Sequence, residues 1–582
     1  MDNVEIARFF NEISDLLEIK GENPFRVRSY RNAALVIEGL TLSLESIVEK
    51  DEKSLEDIPG IGKSIHEKIV EIIRTNGCEL HEELLKEVPQ GVLELLKVSG
   101  IGPRKAGLLY KKLGIQGVGD LEAAAKGHKL RDLPGMGERS EEKILRAIED
   151  YKTIKASSLR FKLSVAYPRA RGYIEYLKKF KGVVQVEAAG SLRRWKETVG
   201  DVDILVTCRE AAAVMEHFVK YPDVKEVVSK GETKATVVLK SGLQVDLRAL
   251  EKKSFGAALQ YFTGSKSHNI AVRDRAKKMG LKISEYGVFS GKTGEMVAGE
   301  KEEDVYRAVG LPWIAPELRE NMGEIEAAER GDLPDLIELS DIKGDLHVHS
   351  TFSDGASTME ELAEAAMGMG YEYMAVTDHS KAVGIAHGLD EKRLEEVISG
   401  VEAVNRRLEK KGVGFRLIKG AEVDIRADGT LDFSEGALKK LDCVVGAVHS
   451  GFTMTMEDMT RRIIKTMETG YLNVLAHPTG RLIGMREPYE VDMERVMDAA
   501  KEYGVALELN SFPERLDLND AHLRLAKDKG VMVAISTDAH HAGHLDYVIY
   551  GVHTARRGWI EKKNVLNARG LKELMRLLKR GC

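Results

Sequence analysis

At 582 residues, with 43% hydrophobic and 31% charged side chains, the chain has room for about three to five domains, each with its own core. A formal charge of −6, with acids and bases balanced along the length, excludes a global basic field, so any nucleic-acid contact has to be local. Cys78, Cys208, Cys443 and Cys582 are isolated, and no apolar run approaches the roughly 18 residues of a membrane span; this predicts a soluble, cytoplasmic protein with neither disulfide framework nor anchor.

The N-terminal third repeats one pattern three times: IPGIG at 58–62, VSGIG at 98–102 and LPGMG at 133–137, each followed by helical periodicity. The glycines, Gly60, Gly62, Gly100, Gly102, Gly135 and Gly137, allow a tight turn and close approach of backbone to a phosphate. The next helix would present its N-terminal N–H groups to that anion. One Gly-x-Gly fits any tight turn; three with the same flanks point to sequence-independent contact with a DNA backbone.

In the middle segment a strand-like run leads into Gly190-Ser191, then Arg193 and Arg194, then Gly200 and the run DVDILV. Asp201 and Asp203 alternate on one strand and share a face, and Asp246 sits in a second strand-like run, LQVDLRAL. Three carboxylates from neighbouring strands suit a pair of Mg²⁺ ions for phosphoryl transfer. Gly190 and Ser191 offer donors to a triphosphate, and Arg193 or Arg194 adds charge. Asp-x-Asp alone is usually a solvated strand edge; the Gly-Ser turn before it turns the reading to a nucleotidyltransferase palm.

The last 240 or so residues carry ligand-type side chains at the ends of apolar runs: His347, His349, Asp354, His379 (after Asp378), Glu422, His449, His477, Asp538 and His540. Eleven of the sixteen histidines fall after Lys343, yet His387, His522, His541, His544 and His553 join no such cluster. Ligands at the C-terminal ends of successive barrel strands converge on one point. Mixed His, Asp and Glu donors suit zinc, manganese or iron. Metals bridged by Glu422 would activate a water near neutral pH, and Arg481, in the same AHPTGR loop as His477, either reaches a phosphate or lies on the surface.

The stretches DLHVHSTFSDG, VTDHS, KGAEVDI, GAVHS, AHPTGR and STDAHH resemble the PHP (polymerase and histidinol phosphatase) family. That resemblance implies a distorted (β/α)7 barrel holding three metal ions, Mn²⁺ and/or Zn²⁺, for phosphoester hydrolysis. Residues 1–318 resemble family X DNA polymerases, with YFTGS at 261–265 matching their nucleotide-pocket motif. This implies Asp201, Asp203 and Asp246 as ligands of Mg²⁺ or Mn²⁺, with Asp246 also activating the primer 3′-hydroxyl. It further implies Gly190, Ser191, Arg194 and Gly200 at the triphosphate, Tyr261 and Phe262 at the sugar with Gly264 also in the nucleotide site, and Asn269 and Arg273 at the nascent pair and template. The resemblance places Lys68 where members with dRP lyase activity carry a Schiff-base lysine. A neighbouring lysine of that pocket is replaced by Ser64, and a helix lysine is otherwise simply solvated.

A family X polymerase fused to a PHP domain is the architecture of bacterial and archaeal PolX. The expected order is a helix-hairpin-helix domain over 1–80, helical fingers over 81–152, an α+β palm over 153–254, a thumb over 255–318, a linker over 319–341 and the α/β barrel over 342–582. The expected function is gap filling on gapped or primed duplex DNA with dNTPs, as a monomer at the nucleoid, plus 3′→5′ exonuclease and abasic-site cleavage preferring Mn²⁺. The other reading is a DNA-binding phosphoesterase whose palm is a scaffold; three convergent acids speak against it. A small-molecule phosphatase would have no use for the hairpins.

Overall fold

The computed structural model describes residues 3–38, 44–58, 61–75, 77–98, 100–131, 133, 136–156, 160–383 and 386–579. Gly60 and Gly135 of the predicted turns lie outside them. Residues 3–156 contain only helical elements among those described, around one core that includes Phe10, Leu16, Ile69, Leu95, Leu109, Leu121 and Ile148. The sequence repeat is also a structural one. Ile61 N–H donates to Ile58 O, Ile101 N–H to Val98 O and Met136 N–H to Leu133 O. Each following helix then opens with the same bond, from His66, Ala106 and Glu141 to the carbonyls of Gly62, Gly102 and Gly137.

The palm is a five-stranded sheet. Its strands are β1 (Val183–Ala188), β2 (Asp201–Cys208), β3 (Val224–Lys230), β4 (Lys234–Leu239) and β5 (Gln244–Leu250), in the order β1-β2-β5-β4-β3. Only β2 and β5 run parallel; the other neighbours are antiparallel. The thumb follows with helices Phe255–Thr263 and Lys266–Lys278 and the strands β6 (Leu281–Ser284), β7 (Gly287–Ser290) and β8 (Met296–Ala298). Ser265 caps the second thumb helix by accepting from His268 N–H, which explains the serine that closes YFTGS. The stretch 319–341, expected as a linker, is instead packed. Its helix Glu324–Arg330 puts Ile325, Ala327 and Ala328 into the thumb core, and the buried Glu324 bonds the buried His268 at 2.6 Å.

The C-terminal part is the expected seven-stranded parallel barrel: β9 (Gly344–Asp345), β10 (Tyr373–Val376), β11 (Arg416–Asp424), β12 (Cys443–Ala447), β13 (Val474–Leu475), β14 (Ala506–Asn510) and β15 (Val533–Ser536) pair in chain order. Helices between them begin on the residue types that favour such starts: Thr358, Asp390, Ser434, Thr455, Asp492 and Asn519 each accept a backbone N–H with the side chain. Side chains close the seam between the last strand and the first. Buried Asn567 donates to Gly344 O and Ile535 O, both at 2.7 Å, and accepts from Ile535 N–H at 3.0 Å. The Asp345 carboxylate accepts from the Thr537 hydroxyl at 2.6 Å, and Val348 and Ala539 form a parallel bridge.

Barrel and polymerase half share cores. Ile483, Leu516 and Tyr550 join the palm cluster, and Trp559 joins the thumb cluster. The main fastener is the barrel helix Val548–Arg557. Replacing Asn567 by Ala would leave Gly344 O and both polar groups of Ile535 buried without partners, so it should cost the barrel about 3 kcal/mol. Urea denaturation followed by a barrel-specific signal measures this; an unchanged midpoint would mean that the seam is closed by other contacts.

Candidate active sites

The palm site follows from strand register. Pairing of β2 with β5 sets Asp203 opposite Asp246, and Asp201 lies one pleat period earlier on the same face. Gly190 has φ +65°, and a Cβ there would come within 2.7 Å of Asp203 Oδ2, so the turn can approach the acids only as glycine. Asp246 accepts from the Thr236 hydroxyl and from Gln244 Nε2. Burial, then the neighbouring Asp201 and Asp246, push the Asp203 carboxyl up to about 7; burial and Asp246 likewise raise Asp201. Carboxylates that destabilise one another's charge this way are a fitting cradle for divalent cations.

The two arginines after Gly190 divide their duties. Arg193 is occupied structurally, bidentate on Glu302 at 2.8 and 2.9 Å and bonded to the Thr263 hydroxyl. Arg194 donates to Glu320 Oε1 at 3.0 Å and to Thr263 O at 2.6 Å. Ser191 lies in the short helix Gly190–Arg193, and Gly200 directly precedes β2. Tyr261 and Phe262 meet edge to face, with Arg248 over the Phe262 ring at 4.6 Å. Asn269 is fastened to Tyr261 O at 2.6 Å and to Gln260, and a Cβ at Gly264 would strike its Oδ1. Arg273, exposed on the same helix, bonds Asn269 O.

In the barrel all nine expected ligands come together. Groups with ligand atoms all within 4.8 Å of one another are His349, Asp354, His379 and His540; His347, His349 and Glu422; and His379, Glu422 and His449. His477 Nε2 stands 3.1 Å from Glu422 Oε1, and Asp538 Oδ1 stands 3.1 Å from His349 Nε2. Glu422 on β11 therefore faces five imidazoles. Against its burial, the rings of His379, His347 and His449 hold its carboxyl well below the usual range. Burial alone would lower the imidazoles, but Glu422 raises His379 to about 10 and His449 to about 9; His349 and His477, where burial prevails, fall to about 3.

Several of these atoms lack hydrogen-bond partners although fully buried: His347 Nε2, both ring nitrogens of His349, His379 Nδ1 and Glu422 Oε2. His379 Nδ1 is 2.7 Å from Glu422, yet the angles are not those of a hydrogen bond. Orphaned ligand-type atoms converging in one place fit metal ions as their missing partners. His477 and Asp538 also hold φ of +28° and +54°, a strained backbone of the kind found at functional sites.

Other expectations change in three dimensions. Asp378 faces away from the cluster, accepting from Ser350 N–H, the Ser350 hydroxyl and the Ser353 hydroxyl. Arg481 is committed to Glu197 of the palm and to Leu516 O. The guanidinium at the cluster is that of Arg515, whose Nε lies 3.6 Å from Asp538 Oδ2 and whose buried Nη1 has no partner. The sequence reading also missed Glu508, which bonds His347 Nδ1 at 2.7 Å and His477 N–H at 2.7 Å, and Asn510, which ties Glu508 to Asp538. Its signal was the run ALELN, where two polar groups interrupt an apolar strand. Lys68 is half-buried on helix Lys63–Thr75.

Fold and sites define a nucleotidyltransferase joined to a metallophosphoesterase barrel, both divalent-metal centres. Family models match along the chain: a helix-hairpin-helix domain at residues 1–78, a SAM-like helix-hairpin-helix tandem at 92–150, the DNA polymerase beta palm at 171–271 and thumb at 258–320, and the PHP domain at 345–512. A Bacillus subtilis (strain 168) protein described as DNA polymerase/3′-5′ exonuclease PolX is 41% identical over 582 residues, covering 100% of both chains. The chain belongs to the PolX family. The barrel alone resembles probable phosphatases of Thermoanaerobacter sp. (strain X514), 34% identical over 211 residues, and Caldanaerobacter subterraneus, 31% identical over 211; these cover 34% of this chain and 78% and 75% of theirs.

Metal ions binding only the folded barrel should stabilise it by about 2.7 kcal/mol at a hundredfold excess over Kd. Chelation should therefore lower its thermal transition, and Mn²⁺ should restore it. A transition indifferent to both would remove the metal reading.

Proposed function

We propose that the chain is a gap-filling DNA polymerase carrying a second, independent 3′→5′ exonuclease centre. The observation that carries this is the presence of two complete acidic sites on one chain, Asp201, Asp203 and Asp246 in the palm and the cluster around Glu422 in the barrel. In the palm, Asp246 would take the primer 3′-hydroxyl proton, Arg194 and the donors of Gly190 and Ser191 would hold the triphosphate, and Tyr261 and Phe262 would pack on the sugar. Mg²⁺ or Mn²⁺ bound by the three acids would neutralise charge developing on the phosphates.

In the barrel, the nine ligands would hold Mn²⁺ and/or Zn²⁺, which supply a water of lowered pKa and a grip on non-bridging oxygens. Glu508 and Asn510 would orient His347, His477 and Asp538. Arg515, with an unpartnered Nη1, would clamp the scissile phosphate. Such a centre addresses phosphate rather than base, so phosphodiesters beside abasic sites are substrates under the same reading. Asp201→Ala with Asp203→Ala should lower dNTP incorporation on a gapped duplex by at least about a thousandfold and spare the nuclease. His347→Ala and Asp538→Ala should do the reverse, and Arg515→Ala should slow hydrolysis by about a hundredfold. Parental 3′-end degradation by His347→Ala would sink the barrel assignment; loss of both activities in Asp201→Ala would indicate one shared site.

DNA would be held through the hairpin turns. A Cβ built at Gly62, Gly102 or Gly137 meets nothing within 4 Å, so the protein's own packing does not demand glycine there. Close approach of an outside group supplies the reason. Gly100 differs, since φ is +84° and any side chain strains the turn. Ala at 62, 102 and 137 should leave the circular dichroism unchanged but weaken binding to gapped duplexes of any sequence by about tenfold, with a shallower salt dependence. Undiminished affinity would leave these turns a purely architectural role.

A further inference from the structure

One carboxylate connects the nucleotide turn to the barrel. Glu320 Oε1 accepts from Arg194 Nε at 3.0 Å and from Arg557 Nη1, also at 3.0 Å, with Lys196 Nζ at 4.0 Å. Arg557 belongs to the barrel helix Val548–Arg557, and the same Nη1 donates to the backbone carbonyl of Arg194 at 2.8 Å. Its other nitrogens, Nε and Nη2, grip Asp520 Oδ2 at 3.0 and 2.6 Å. Arg557 thus touches Arg194 twice over, through its main chain and through the carboxylate that anchors its side chain.

The mount is stiff. Trp195, with φ +55°, stacks on His553 of the same barrel helix at 3.6 Å and 6°. Glu317 accepts from His553 at 2.8 Å and from Arg556 at 2.7 Å. Arg557 itself is 96% buried by side chain, as its 4% exposure states. Burial opposes ionisation of Glu320, and of the cations that keep it charged Arg557 contributes most, ahead of Lys196 and Arg194.

We propose that Arg557, a residue of the nuclease barrel, is a positioning residue for dNTP binding in the palm. The proposal rests on the reading of Arg194 as a triphosphate ligand. For Arg194 to turn its charge on phosphate, Glu320 must have another cation; a buried carboxylate left alone is costly. Arg557 fills that place and leaves Arg194 available. Without it, Glu320 is left with Arg194 at hydrogen-bond distance and Lys196 farther off, so it holds Arg194 more firmly, and the Arg194 carbonyl loses its donor.

Arg557→Met keeps the apolar stem and removes the charge. It should raise the KM for dNTP on the order of tenfold, the size that contacting charged groups couple by, with kcat changed less than about twofold. The exonuclease rate and the far-UV circular dichroism of the whole chain serve as fold controls and should stay near parental, while the melting temperature falls because Asp520 also loses its partner. In a Glu320→Gln background the same substitution should raise KM far less, because no charge then competes for Arg194 and only the donor to the Arg194 carbonyl is lost. Arg557→Lys, which keeps the charge without the fork, should fall between and covers the case in which the Met variant misfolds. An unchanged KM in folded Arg557→Met or Arg557→Lys, with KM raised in Arg194→Ala, would overturn the proposal. So would an equal rise in KM with and without Glu320→Gln. An unchanged KM in Arg194→Ala would instead overturn the triphosphate reading beneath it.

Discussion

Parallel pairing sets the same ends of neighbouring strands side by side, and both centres hang on that constraint. In the palm, β2 and β5 are the parallel pair within an otherwise antiparallel sheet, and their register alone sets Asp203 opposite Asp246. A slip of one residue would send one carboxylate to the other face and dissolve the site. In the barrel every neighbouring pair is parallel, so His379, Glu422, His449, His477 and Asp538 emerge at one rim although they belong to five different segments of the chain. That rim exists only while the seam is shut, which makes Asn567 and Asp345, far from any ligand role, conditions of the chemistry.

The two centres solve the cost of buried charge differently. The palm gathers acids with few balancing groups nearby, and burial raises Asp201 and Asp203 accordingly. Its affinity for cations is stored as repulsion. The barrel surrounds Glu422 with imidazoles and backs His347 with Glu508, so acids and bases are interleaved within hydrogen-bonding range. The first arrangement suits ions that arrive with a substrate, and the second suits ions that stay.

Legibility in the sequence followed contact distance along the chain. His347 with His349, and Asp201 with Asp203, could be read because strand geometry turns a two-residue spacing into a shared face. The hairpin repeat was legible for a similar reason, since its turn bonds span three residues. Arg481 and Arg515 show the limit. Both follow strand ends near ligands, and the course of the loops, with Leu516 at φ +43°, decides that Arg515 meets Asp538 while Arg481 turns to the palm. Asn567, Glu508 and Arg557 find their partners across domains or across the barrel, where no local pattern points. The stretch 319–341 misled through its proline and acids, while the short apolar face of Ile325, Ala327 and Ala328 was too brief to weigh against them.

The shared cores alter what a dissection of this protein can mean. Ile483, Leu516 and Tyr550 finish the palm's interior from the barrel side, and Trp559 does the same for the thumb. Cutting the chain near residue 341 would therefore not yield a polymerase minus a nuclease, but a polymerase with an unfinished, water-exposed apolar face and an uncompensated Glu317. Sluggish synthesis by such a fragment would report a wounded scaffold rather than a missing catalytic step. For this architecture point substitutions at the rim are the instrument that separates the two activities, since each half meets the other through an apolar face.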